Sequence, residues 1–188
     1  MKSLKLLLVV CLIVSATLVA AQAQERAQSK APGCENVRGR IYEAIVPAPN
    51  DPFGRVAGAV FGSVDGVATA IITSIAPTST GLHATTEDII VTPGGDKLFF
   101  TGDANFTPIP GTNPAEGHFT DDLTLTVGVQ RSVDNATVSF PGTGKFAHAT
   151  GSLKVTGEGH FLFVNPLTGN GYFQLRYEGQ ICGLGASK

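Results

Sequence analysis

The chain has 188 residues, with 13 Lys and Arg against 15 Asp and Glu and a formal net charge of −2. No basic excess is available to build a face for nucleic acid or an anionic membrane, so those partners are excluded. Its 23 glycines and 11 prolines, with Val, Ile and Thr abundant, point to strands joined by turns and away from helices.

Lys2 and Lys5 precede an apolar run from Leu6 to Ala20, and Ala21-Gln22-Ala23 offers a small-x-small cleavage site. This pattern is a secretory signal peptide over residues 1–23. The alternative is an uncleaved anchor, against which the apolar run is short for a span. Cys11 lies within that run, too early for a lipoprotein cysteine. Processing removes Lys2 and Lys5 but no acid, which takes the net charge from −2 to −4. The mature protein is expected to be secreted or periplasmic, with no membrane span. Residues 24–33 read as a flexible leader, 34–184 as one domain and 185–188 as a tail.

The first strand is expected over Val37–Val46, with Val37, Ile41 and Ile45 on one parity. Pro47, Pro49 and Pro52 then make a loop at the mouth of whatever the strands enclose. Val56–Ser63 and Val67–Ile75 are strands around an Asp65-Gly66 hairpin turn, and Ala76–Ala84 is a loop. Asp88–Thr92 and Leu98–Thr101 flank the Pro93–Asp96 turn, and Ala104–Pro108 continues the second beyond a glycine bulge at Gly102. His118–Val129 is a long strand with Phe119, Leu123, Leu125 and Val127 on one parity. Val133–Phe140 is another. Ser152–Val164 and Tyr172–Cys182 form a closing hairpin through Asn165–Asn170; in the latter Phe173, Leu175, Tyr177 and Ile181 alternate with polar residues.

Cys34 and Cys182 lie near the two ends of the domain. They are either a disulfide, as an oxidising compartment favours, or two buried thiols. A bond requires the first and last strands to be close, which a closed sheet provides. Some eight or nine short strands so joined suit an antiparallel barrel or a sandwich, and the fold expected is all-β, a single antiparallel closed barrel of about eight strands.

The run Gly142-Thr143-Gly144-Lys145-Phe146-Ala147-His148-Ala149-Thr150-Gly151 resembles the Gly-[Ser/Thr]-Gly-x-Phe-x-x-Ala-x-Gly element of the allene oxide cyclase and dirigent barrel group. The Leu123–Thr126 strand and the Tyr177-Glu178-Gly179-x-Ile181-Cys182 ending fit that pattern, as do the endings of similar secreted bacterial barrel-like proteins. The resemblance covers about sixty residues by motif, and the earlier half only by strand rhythm. It implies a barrel in which this element joins two strands with Phe146 plugging the wall, and it implies a homo-oligomer. Gln130–Phe140 departs from the pattern, standing where the plant enzymes have a short turn. The polar cavity residues of those cyclases have no counterpart here, so no catalytic residue is carried over.

Candidate chemistry is sparse. The glycine spacing around Lys145 fails the nucleotide fingerprints, and no cofactor is expected. Glu116-Gly117-His118-Phe119 and Glu158-Gly159-His160-Phe161 repeat a tetrapeptide in which Glu and His share a strand face. They are either four metal ligands or solvated pairs, and their parity, opposite to the phenylalanines, favours the latter. Asp121 shares parity with Phe119, Leu123 and Leu125, and Glu43 lies between Ile41 and Ile45. Each is either an inward, pKa-shifted acid or an acid returned to water by a bulge or rim position. These two are the catalytic candidates. Phe100, Phe119, Leu123, Phe161, Phe173 and Tyr177 are the expected lining of a lumen that takes a small, largely apolar ligand. The alternatives are an isomerase or cyclase of the resembled kind, and a structural or surface-interaction protein with a packed core.

Overall fold

Alternation between apolar and polar side chains over long stretches leaves strands little choice but to enclose one common dry face. The computed structural model describes residues 33–46, 48, 53–112, 117–133, 136–161 and 171–185. The expected signal peptide, most of the leader and tail, most of the Pro47–Pro52 loop, the Asn165–Asn170 turn and Glu116 lie outside these residues, as does the side chain of Phe161.

Among the described residues ten strands follow in order: β1 Cys34–Val46, β2 Arg55–Gly62, β3 Gly66–Pro77, β4 Leu82–Val91, β5 Lys97–Pro108, β6 His118–Val127, β7 Val129–Val133, β8 Ala136–Phe140, β9 Thr150–Phe161 and β10 Gly171–Cys182. Eight close into an antiparallel barrel in the order β1-β10-β9-β6-β5-β4-β3-β2, while β7 and β8 form a separate two-stranded sheet. Closure removes the unpaired edges that an open sheet would expose. Cys34 and Cys182 are cross-strand partners on β1 and β10 and are bonded to each other.

Several boundaries differ from expectation, each for a local reason. The stretch 76–84 is mostly strand, because β3 runs to Pro77 and β4 starts at Leu82. A register shift between Ile72 and Ser74 lets Thr73 and Ser74 both bond the Thr85 hydroxyl, at 2.7 Å each. Gly102 is not a bulge: its pairing with Thr86 and Leu125 is continuous within β5. Its missing Cβ instead makes room, since a methyl there would lie 3.1 Å from both Asp88 Oδ2 and Leu123 Cδ1. The expected strands His118–Val129 and Val133–Phe140 resolve into β6 and the β7–β8 hairpin. Gly128, at φ 106°, breaks the chain between β6 and β7. Arg131 of the hairpin pairs with Glu87 on the outside of β4.

The interior is filled at the end where the disulfide lies. Phe100, Leu98, Leu153, Val155, Ile181 and Phe146 are essentially inaccessible. Phe146 belongs to a 3₁₀ turn, Gly144–Phe146, held to β5 by hydrogen bonds from Thr143 N–H to Lys97 O (2.8 Å) and from Lys97 N–H to Thr143 Oγ1 (3.0 Å). Full burial of one such ring contributes about 3 kcal/mol.

Candidate functional site

Inward parity carries more than apolar groups. Three carboxyls face the interior: Glu43 on β1, Asp88 on β4 and Asp121 on β6, three strands of which no two are neighbours in the closed order. Each acid has the same surroundings. Glu43 pairs with Phe173 on one side and Gly58 on the other. Asp88 stands between Phe100 and Ala70, and Asp121 between Phe106 and Gly157. A phenylalanine excludes water on one flank, and a glycine or alanine leaves the other flank with no bulk of its own.

The electrostatics follow from that setting. Burial, reinforced by the charges of Asp88 and Asp121, pushes the Glu43 carboxyl up to about 8. Burial raises Asp88 to about 7 even though the Thr86 hydroxyl, which donates to its Oδ2, works in the opposite sense. As a residue Asp88 is only half-buried, but its carboxylate is the enclosed part, lying over Gly102 beside Thr86. Asp121 is raised to about 7 by burial, then by Asp122 and Asp88. It is 5% exposed, and its Oδ1 has no hydrogen-bond partner among the described residues. Such an atom costs about 1–3 kcal/mol, recovered only by a donor that reaches it. The arrangement can hold and release protons near neutral pH in a dry space.

Both sequence candidates are therefore inward and in unbroken strand pairing, with no bulge at either; Asp121 is buried and Glu43 half-buried. Asp88 is a third that sequence reasoning missed. The signal was its parity with Ile90 inside the expected Asp88–Thr92 strand, joined by Ala84 and Thr86 once β4 is started at Leu82.

Phe100, Phe119, Leu123, Phe173 and Tyr177 all lie in the interior and are buried. Tyr177 is committed elsewhere: its hydroxyl accepts from Val64 N–H at 3.0 Å and donates to Val64 O at 3.1 Å, fixing the β2–β3 turn. Burial raises its pKa, against the pull of those bonds. Tyr177→Phe is expected to cost about 1–3 kcal/mol by orphaning the buried Val64 amide. Denaturant unfolding monitored by circular dichroism reads that loss, and an unchanged midpoint would contradict this structural role.

His118 and His160 are outward, paired in register and stacked with ring centroids 4.3 Å apart. Glu158 is outward and exposed on the same wall. No group of three His, Cys, Asp or Glu among the described residues is placed to hold a metal ion. No helix among them is long and apolar enough to cross a membrane.

Comparison with protein-family models, with characterised proteins and with solved structures finds no match to this chain.

Proposed function

We propose that this barrel binds a small, largely apolar molecule in its interior and holds the molecule's oxygen function with the inward carboxyls. The observation that carries this reading is the repeated setting of Glu43, Asp88 and Asp121, each between a phenylalanine and a glycine or alanine. Binding sites for small molecules combine an apolar wall with a few convergent polar groups in this way. A carboxyl whose pKa is near 7 or 8 is largely protonated at pH 6, so it donates to a ligand carbonyl or hydroxyl without the cost of a buried charge. A secreted or periplasmic setting fits both the leader pattern and the disulfide.

Protein purified from its own host is expected to release such a compound on solvent extraction, and native mass spectrometry should show the matching mass shift. Glu43→Gln and Asp121→Asn are each expected to weaken its binding about tenfold, the effect of one polar contact. An extract without a bound compound, from protein whose interior excludes xenon and small apolar probes, would leave only the packed structural reading.

A second reading rests on the same acids. Carboxyls poised near neutrality are suited to general acid–base steps, and the Gly142–Gly151 element resembles that of cyclases and dirigent proteins. An isomerase or cyclase would hold a reactive intermediate in one conformation while an inward acid protonates it. This reading requires turnover that follows a titration near pH 7–8 and disappears in Asp121→Asn. Turnover unaltered in both acid variants excludes it.

A further inference from the structure

We propose that the outer face of β1, β10, β9 and β6 carries a second site, a groove that binds an anionic saccharide. The register of these four strands lays three rows of outward side chains side by side. The first row is Arg40, Arg176, Thr156 and Asp122; the second is Tyr42, Gln174, Glu158 and Thr120; the third is Ala44, Tyr172, His160 and His118. Between them lies a groove of about 490 Å³, floored by the backbone of Gly157 and Gly159 and lined by Arg40, Tyr42, His118, Glu158, Tyr172 and Arg176. That volume is in the range of small-molecule sites.

Two features of the groove are unexplained by folding. Arg40 and Arg176 are direct cross-strand partners, an arrangement in which like charges repel. Neither forms an ion pair with a carboxylate among the described residues. A chain of net negative charge has thus placed two guanidiniums together where an anion, but no side chain of its own, neutralises them. In addition Tyr42 and Tyr172 stand 41% and 47% exposed, Tyr42 beside Gln174 across the ladder and Tyr172 two residues before it on β10. Tyr42 is held by Arg40, whose Nη1 donates to its hydroxyl at 3.4 Å. Tyr172 is held by the His118–His160 stack, with its ring 5.6 Å from that of His160. Fixed aromatic faces beside amide, carboxylate and hydroxyl groups match a sugar ring, which is apolar on its C–H faces and polar at its rim.

The polarity of the groove sets the orientation. The carboxylate or sulfate lies on the Arg40–Arg176 corner, and the ring hydroxyls meet Gln174 and Glu158 one row away. Glu158 opposes negative charge at its own end, so the ring seated there turns its hydroxyls to Glu158 and its carboxylate toward the arginines, and one carboxylate per ring fits better than two. Arg40 and Arg176 point away from the lumen, so this site does not depend on the interior acids.

Titration calorimetry of the full mature protein with trigalacturonate, at low salt, tests the proposal. The neutral methyl ester, inorganic sulfate and inorganic phosphate serve as comparison probes. Trigalacturonate is expected to bind at least about tenfold more tightly than its ester or either inorganic ion. Arg40→Gln and Arg176→Gln are each expected to weaken it about tenfold, and Tyr172→Ala to weaken acid and ester alike. Lys154→Gln, an outward charge change farther down β9, should leave binding unaltered. Equal binding of acid and ester, or wild-type affinity in Arg176→Gln, overturns the anion assignment. Sulfate binding as tightly as the trisaccharide overturns the saccharide assignment, and absence of binding by all probes overturns the site. All four substitutions are on the outer surface, and near-ultraviolet circular dichroism confirms that each variant is folded.

Discussion

Asp121→Asn is expected to stabilise the protein at pH 8 while leaving it unchanged or slightly weaker at pH 4. The carboxyl is raised from 3.8 to about 7 in the folded state, chiefly because burial disfavours its charge. Between those values the folded protein holds a proton that the unfolded chain releases, so stability falls as pH rises. The contribution is fully present below about pH 4, declines through the interval and is absent above about pH 8. Three pK units correspond to about 4 kcal/mol for one group acting alone. An asparagine keeps the shape and cannot ionise, so the variant should gain about 2–4 kcal/mol over the wild type at pH 8. Glu43 and Asp88 share the interior and are raised in the same sense. Removing the Asp121 charge should therefore also lower the Glu43 titration, since Asp121 is among the causes of its rise. Glu87 works oppositely: its pKa is lowered by Arg131, so its small contribution is present above the unfolded value and lost in acid. That pair is open to solvent on the Arg131 side and adds little. Urea unfolding at pH 4, 6 and 8, with carboxyl titration by nuclear magnetic resonance, reads both effects. Parallel stability curves for wild type and variant would place Asp121 in water and remove the basis of the interior site.

What the sequence made legible was periodicity. The parity of Phe119, Leu123 and Leu125 marked Asp121 as a candidate inward acid, and Ile41 and Ile45 did the same for Glu43, while a bulge or rim position stayed open as the alternative until the strand pairing was known. Asp88 escaped because it opened the expected strand, behind a Thr85-Thr86-Glu87 stretch that is polar at every position and has the composition of a turn. Only tertiary pairing makes it strand, with Thr86 and Asp88 satisfying each other inside. Gly102 misled for a related reason: glycine in a strand marks either a bulge or a close approach, and composition does not distinguish them. The Arg40–Arg176 corner was wholly hidden, since it depends on how residues from opposite ends of the chain are registered. A slip of one residue would turn every side chain of β1 to the other face.

The seam that creates this register is also where the largest loss of stability is expected. Cys34 and Cys182 are paired on β1 and β10 across a sequence separation of 148. Linking residues so distant removes about 4–5 kcal/mol of loop entropy from the unfolded chain. That is a large part of the roughly 5–15 kcal/mol by which domains of this size are stable. The Cys34→Ser, Cys182→Ser double variant should therefore unfold at a much lower denaturant concentration, with its m-value increased by the fuller expansion of the unlinked chain. The β1–β10 ladder remains, so the folded state should keep its far-ultraviolet spectrum and its interior titration near pH 7–8. If the bond instead forced the seam into place, the double variant would lose the Glu43 titration even where still folded, because Glu43 and its partner Phe173 lie on those two strands. Measuring the Glu43 titration alongside the unfolding midpoint separates a clasp on an already closed barrel from a bond that closes it. The paired registers of β1 with both β10 and β2 predict the former.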